Sequence, residues 1–168
     1  VEAFVDHANR GDALARGDGR AADRSGSSAG ESGNAVTGGV SDDALIAWTE
    51  AWRLYRGPLM AGYDGALIEH RRAELHRRYL DVLRSIGDAY DARGRTTEAL
   101  DAYRTILIDE PYEEAVHVAV MAQYATLGRR DLVRRQYLRL TALLSELGVA
   151  PSEPTQRRYH GWMGHDPG

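Results

Sequence analysis

The side chains that could bind a metal ion are few and poorly arranged. His70, Glu74 and His76 lie close together in a stretch with helical periodicity. On a helix His70 and Glu74 can face the same way, but His76 is six positions beyond His70 and points elsewhere. A zinc site needs three or four converging ligands, and the chain has no Cys. We therefore expect a solvent-exposed helix face, with no metal and no other cofactor.

Covalent catalysis has little support in the sequence. Cys is absent, and neither Ser85 nor Ser145 has a His close by in the chain. The Gly-Asp-Gly sequence at 17–19 lacks the strand and helix that would make it a phosphate-binding loop. We expect no catalytic residues and no enzymatic activity.

Arginine pairs are the more informative charged feature. Arg71 and Arg78 are seven positions apart and share a helix face, and Arg130 and Arg134 can share a face on a later helix. One interpretation is a soluble surface with ion pairs to the many Asp and Glu residues. The alternative is a basic strip that contacts a phosphate backbone or an acidic protein surface. These four residues are our candidate contacts with a partner or with the DNA backbone.

Composition limits the possible classes of protein. The chain has 168 residues and a net charge of −4, so the chain as a whole does not resemble a nucleic-acid binder. No apolar run approaches the roughly 20 residues of a membrane span, and no secretory signal segment opens the chain. We expect a soluble, cytoplasmic protein with one core and no contact with a membrane.

The core pattern is a repeat of helical hairpins. Residues 79–111 read as two helices separated by a turn at Gly94, and a shift of about 34 residues carries Tyr90 to Tyr124 and Gly94 to Gly128. This period and these residue types are typical of tetratricopeptide hairpins. The predicted structural positions of the repeat are Gly87, Tyr90, Gly94, Ala99, Tyr103, Pro111, Tyr124, Gly128 and Tyr137.

The remaining segments complete the predicted architecture. Residues 1–16 would form the first helix of the first hairpin, 17–40 a flexible Gly/Ser-rich insertion, 41–160 the tetratricopeptide-like domain and 161–168 a loose tail. Ser41 is the predicted N-cap of the helix that follows the insertion, and a short helix over about 153–159 would cap the stack. The predicted fold is all-α: a tetratricopeptide-like stack of about three helical hairpins with a C-terminal capping helix. Its concave face would come from helices 66–93 and 112–127.

Two irregular junctions give the chain a specific resemblance. One is Leu54-Tyr55-Arg56-Gly57-Pro58-Leu59, and the other is Glu146-Leu147-Gly148-Val149-Ala150-Pro151-Ser152. With the hairpins between them, the chain resembles the bacterial transcriptional activator domain of the Streptomyces antibiotic regulatory protein family, most densely over 42–159. Tyr55 stands where that family usually has Trp. The winged-helix DNA-binding domain that normally precedes this domain is not recognised here, so we assign no DNA binding to these residues.

The resemblance implies a function through surfaces. We expect a non-catalytic interaction and regulatory domain of a transcription activator. It would support an adjacent winged-helix domain and contact the transcription machinery or another copy of itself, with DNA bound only through a domain outside this chain. The alternative is a stand-alone tetratricopeptide-like adaptor that binds a peptide or a small effector in its concave groove.

Overall fold

The computed structural model describes the backbone of residues 1–24, 40–57 and 65–164. These residues form helices and connections, with no β-strand in any of the three ranges. The helices are α1 (Glu2–Arg24), α2 (Asp42–Leu54), α3 (Ala66–Ala92), α4 (Thr96–Asp109), α5 (Glu114–Thr126), α6 (Arg130–Glu146) and α7 (Glu153–Gly164). The all-α prediction is confirmed, and the helix order is consistent with three tetratricopeptide-like pairs followed by a final helix.

Two predicted boundaries need correction. Helix α1 passes through Arg16 and ends at Arg24, so the first part of the predicted insertion is helical. Residues 25–39, which make up the rest of that insertion except for Val40, lie outside the described residues. Helix α7 continues beyond Tyr159 to Gly164, so the start of the predicted loose tail is also helical, and only 165–168 lie outside the described residues.

The chain divides into two compact units, Val1–Ala92 and Arg93–Gly168. In the first unit, α1 packs on α2 and α2 packs on α3. Phe4 and Ala8 of α1 are buried, as are Ala44, Trp48 and Ala51 of α2. The small side chains of Ala8, Ala44 and Ala51 allow α1 and α2 to approach closely. The Trp48 indole lies between the two helices.

Gly11 of α1 lies directly against the Trp48 side chain of α2. A Cβ atom built on Gly11 would lie 2.4 Å from Cδ1 of Trp48, well inside van der Waals contact. In the sequence Gly11 only weakens the predicted first helix, because Gly is a poor helix former. The structure gives it a packing role: the missing side chain makes room for the indole of Trp48.

In the second unit α4 packs on α5, α5 on α6, and α7 on both α5 and α6. Ala99 and Tyr103 of α4 are buried, and so is Tyr124 of α5. Tyr137 of α6 is half-buried and stacks on Tyr159 of α7, with ring centroids 3.9 Å apart and planes 6° apart. A stacked pair of aromatic rings therefore holds α7 on the hairpin formed by α5 and α6.

The helix ends follow the local sequence. Ser41 is the N-cap of α2, and its hydroxyl accepts a hydrogen bond from the Ala44 amide at 3.2 Å, as predicted. Gly94 and Gly128 follow the ends of α3 and α5 with φ of 67° and 69°. Side chains disfavour this left-handed backbone, which explains why Gly recurs at the turn of the repeat. Gly87, another repeat position, is buried in α3, while Tyr90 and Pro111 are half-buried.

None of the described helices is both long enough and apolar enough to cross a membrane.

Candidate functional site

A groove in the first unit is lined mostly by charged side chains. Residues of α1 and α3 line a cavity of about 480 Å³. Val5 and Leu75 give it an apolar part, and Leu75 is buried. The polar lining consists of Asn9, Arg71, Glu74, Arg77, Arg78 and Asp81. The structure therefore brings the predicted contacts Arg71 and Arg78 to one groove and adds Arg77, which was not among the predicted contacts.

Arg78 has an internal role in this groove. Its Nη2 atom donates to Asp12 Oδ2 at 2.7 Å and to Asn9 Oδ1 at 3.1 Å. The other oxygen of Asp12, Oδ1, accepts a hydrogen bond from Trp48 Nε1 at 2.9 Å. Arg78, Asp12 and Trp48 thus link α3, α1 and α2. A guanidinium held this way fixes the wall of the groove, and a contact between Arg78 and a partner stays a prediction.

Arg71 is more accessible than Arg78. Its side chain is 45% exposed, against 26% for Arg78. Arg71 Nη1 donates to Glu74 Oε2 at 2.7 Å, and this hydrogen bond together with the positive charge lowers the pKa of Glu74. Arg77 is exposed, and its Nε atom points at the Ala73 carbonyl at 3.4 Å. Arg71 and Arg77 are therefore the arginines of the groove that present most cationic surface to solvent.

The other two predicted contacts lie in the second unit. Arg130 is the first residue of α6 and is half-buried, whereas Arg134, one turn later, is exposed. Arg129 just before them forms a two-point ion pair with Asp131, at 3.0 Å for each bond. The hydrogen bonds with Arg129 lower the pKa of Asp131. Ion pairs of this kind match the soluble-surface interpretation of the arginine pairs.

Two of the three residues considered as metal ligands, Glu74 and His76, bind other side chains. Glu74 binds Arg71, and His76 Nδ1 lies 3.4 Å from the hydroxyl of Tyr55. Tyr55 also stacks on Tyr79, with centroids 4.0 Å apart. Among the side chains that the structure describes, no group of three or more His, Cys, Asp or Glu residues could hold a metal ion. Tyr55 is thus part of an aromatic cluster.

A buried histidine in the second unit was not predicted. His117 of α5 has no exposed surface. Its Nε2 atom lies 2.9 Å from the Pro111 carbonyl, and its Nδ1 atom lies 2.7 Å from Nε2 of Gln136. A carbonyl only accepts, so Nε2 carries the proton and Nδ1 accepts from Gln136. Burial lowers the pKa of His117, and this effect outweighs the opposing hydrogen bond from its ring to Pro111. The ring therefore joins α5, α6 and the α4–α5 connection in its neutral form.

The junction before α7 is held by a carboxylate of α5. Glu114 Oε1 accepts from the Ser152 amide at 2.8 Å and from the Ser152 hydroxyl at 2.6 Å. Burial by itself raises the pKa of Glu114, but hydrogen bonds from Ser152 and Thr155 outweigh it and leave the pKa lowered. Pro151 is buried beside this contact. These contacts give a physical reason for the Pro-Ser sequence at 151–152, which places α7 on α5.

The comparison with known families decides the identity of this helical domain. The sequence model of the bacterial transcriptional activator domain matches residues 22–161. The chain belongs to this family. The match covers both irregular junctions and every repeat position noted above, so the resemblance found in the sequence is confirmed. No curated protein and no solved structure gave a significant match.

Family membership assigns a role in transcription regulation. The bacterial transcriptional activator domain is named for activation of transcription and not for a reaction, and the helical repeat agrees with a regulatory domain. The groove lined by α1 and α3 is then the candidate contact surface of such a domain. It combines arginine and carboxylate side chains with the apolar side chains of Val5 and Leu75.

Proposed function

We propose that this chain is a non-catalytic interaction domain of a bacterial transcription activator. It supports an adjacent winged-helix DNA-binding domain and contacts the transcription machinery or another protomer in the cytoplasm. The observation that carries the proposal is the family match over 22–161. The exposed guanidinium groups in the groove of the first unit supply a surface for acidic partner residues.

The arrangement of the groove supports a protein contact. Arg71 and Arg77 point cationic groups outward, while Glu74 and Asp81 lie among them. A mixture of both signs favours a partner with a matching pattern and disfavours a uniform polyanion. Arg78 keeps the wall in place through Asp12. We therefore assign the groove to a protein partner and not to the DNA backbone.

Charge reversal tests this assignment. The double variant Arg71→Glu with Arg77→Glu changes two exposed side chains and leaves the Arg78–Asp12 link intact. In the full-length regulator we expect helicity unchanged by circular dichroism and promoter output reduced several-fold. Arg53→Glu is the matched control, because Arg53 is an exposed arginine on α2 outside the groove. Equal promoter output from the double variant and the parent would remove the groove from the proposal.

The arginines of the second unit are tested separately. Arg130→Glu with Arg134→Glu reverses the predicted basic face of α6. A loss of promoter output with retained helicity would support a contact there, and unchanged output would favour the soluble-surface interpretation of these residues. Keeping the two pairs apart shows which unit carries the contact.

A second candidate function is the binding of a peptide or small effector in a groove. Its candidate site in the first unit is the cavity of about 480 Å³ between α1 and α3, whose mostly charged lining would suit a polar ligand. The predicted concave face from 66–93 and 112–127 stays a prediction. A thermal-shift screen of acidic peptides and metabolites tests this candidate, since a ligand that binds only the folded state raises the melting temperature. A screen without any such shift would count against it.

A further inference from the structure

Two connections of the second unit lie side by side. Tyr112, between α4 and α5, donates from its hydroxyl to Glu146 Oε2 of α6 at 3.3 Å. Glu114, at the start of α5, accepts both hydrogen bonds from Ser152, just before α7. These contacts place residues 110–113 next to residues 147–152 at one end of the unit.

This end exposes large apolar side chains. Ile108 is 77% exposed at the end of α4, and Tyr112, Leu147 and Val149 are also exposed. Leu127 and Leu138 are the other exposed large apolar residues described in this unit, and they lie outside the two connections. Exposed apolar side chains gathered within a polar rim are a feature of protein interaction sites.

The two connections themselves carry charge of one sign, while the nearest arginines in the sequence are Arg104, one turn before Ile108 on α4, and Arg157 on α7. Residues 105–114 and 145–156 contain six carboxylates and no Arg, Lys or His. Glu114 is used internally by Ser152, and Glu153 pairs with Arg157 at 2.7 Å. Asp109 and Glu110 are exposed. We define the acidic face as the exposed apolar residues Ile108, Tyr112, Leu147 and Val149 together with Asp109, Glu110 and Glu146.

We infer that the acidic face docks a protein segment that presents Arg or Lys side chains around an apolar anchor. The carboxylates attract cationic side chains and give orientation, and burial of the apolar residues supplies free energy that charge alone does not. The same carboxylates repel phosphate groups, so this face is unsuited to DNA. The inference rests on the proposed function and adds to it a second contact surface, on a different unit from the arginine-lined groove.

A peptide of defined sequence tests the inference with the full chain. The probe is a fluorescein-labelled amphipathic 15-mer with Leu along one face and Arg on either side, and its matched partner has Glu in place of each Arg. Fluorescence anisotropy measures binding at about 150 mM salt, near physiological ionic strength. We expect the basic peptide to bind and the acidic peptide not to bind. Equal binding of the two peptides, or binding of neither, overturns the inference.

Matched variants separate docking from simple charge attraction. Leu147→Ser removes an apolar residue of the face, and Leu138→Ser is its control because both leucines are 57% exposed. We expect Leu147→Ser to weaken peptide binding about tenfold and Leu138→Ser to leave it unchanged. The double variant Asp109→Asn with Glu110→Gln should weaken peptide binding and reduce the dependence of binding on salt. Asp101→Asn is the control, because Asp101 is an exposed carboxylate elsewhere on α4.

The outcomes remain distinct from those of the groove experiment. Binding that is insensitive to Leu147→Ser but sensitive to the carboxylate variant means unspecific attraction and overturns docking. Peptide binding is measured without a promoter, so it does not depend on the output of the groove variants. If the Arg71→Glu, Arg77→Glu variant loses promoter output and the basic peptide does not bind the chain, the proposed function stands and only the docking inference is refuted.

Discussion

Replacing Gly11 by Ala sets two physical effects against each other at one position. In a helix interior Ala is more favourable than Gly by about 1 kcal/mol, so propensity alone makes the variant more stable. The new Cβ would, however, lie 2.4 Å from Cδ1 and 2.5 Å from Nε1 of Trp48. Atoms in contact need about 3.5–4.0 Å, so the indole must move by about 1 Å. Overpacking of this kind costs about 1–3 kcal/mol.

The displacement also disturbs a hydrogen bond. Trp48 Nε1 donates to Asp12 Oδ1 at 2.9 Å, and net contributions of hydrogen bonds to charged groups are about 1.5–3 kcal/mol. Partial loss of this bond, about 1 kcal/mol, offsets the gain in helix propensity. We therefore expect Gly11→Ala to lower the free energy of unfolding of the first unit by about 1–3 kcal/mol.

Urea denaturation followed by tryptophan fluorescence measures this change. A Trp162→Phe background removes the tryptophan of the second unit, so the signal comes from Trp48 and Trp52 on α2. Gly17→Ala is the control, because a Cβ there meets no atom within 4 Å, and it should raise stability by up to about 1 kcal/mol. A Gly11→Ala variant as stable as the parent, or one that behaves like Gly17→Ala, would refute the close packing of α1 on α2.

Two further predictions concern the second unit. Since burial holds the pKa of His117 below its ordinary 6.5, the unfolded chain binds the proton first as pH falls, and the free energy of unfolding should decrease below about pH 6.5. Urea midpoints at pH 8 and pH 5.5 check this. His117→Gln should flatten the pH dependence of the midpoint, and a dependence equal to that of the parent would contradict the prediction. The stacked rings of Tyr137 and Tyr159 should show a coupling of about 0.5–1.5 kcal/mol in a double-mutant cycle to Ala. If the losses of unfolding free energy in the two single variants, measured by thermal unfolding, add up to the loss in the double variant, the stack does not hold α7.

Local patterns made the helices and turns predictable. Gly94 and Gly128 follow helix ends with positive φ, and Ser41 caps α2, because each of these roles depends on residues within one turn of the chain. The end of α1 at Arg24 and the end of α7 at Gly164 were missed. The residues past 16 are small or polar, so the continuation of α1 has no apolar signal. Past 159, Gly161 is a poor helix former, but Trp162 and Met163 follow Tyr159 at helical spacing and were the available signal that α7 continues.

The contacts that build the groove could not be predicted from the sequence. Arg78 and Asp12 are 66 positions apart, and Trp48 and Asp12 are 36 apart. No local spacing indicates such partners, so Arg78 reads in the sequence like the more accessible Arg71. His117 was missed for the same reason: its partner Gln136 lies on another helix. A histidine within the apolar run of α5 was the available signal of its burial.

The most direct test of the central claim is capture of RNA polymerase holoenzyme by the immobilised chain. The same experiment is run with the chain fused to a winged-helix domain, and with the Arg71→Glu, Arg77→Glu variant and the Arg53→Glu control. We predict that the isolated chain captures the polymerase, that the groove variant loses it and that Arg53→Glu retains it. Capture by the fusion but not by the isolated chain would contradict a contact surface on these helices and would leave the domain a positioning role.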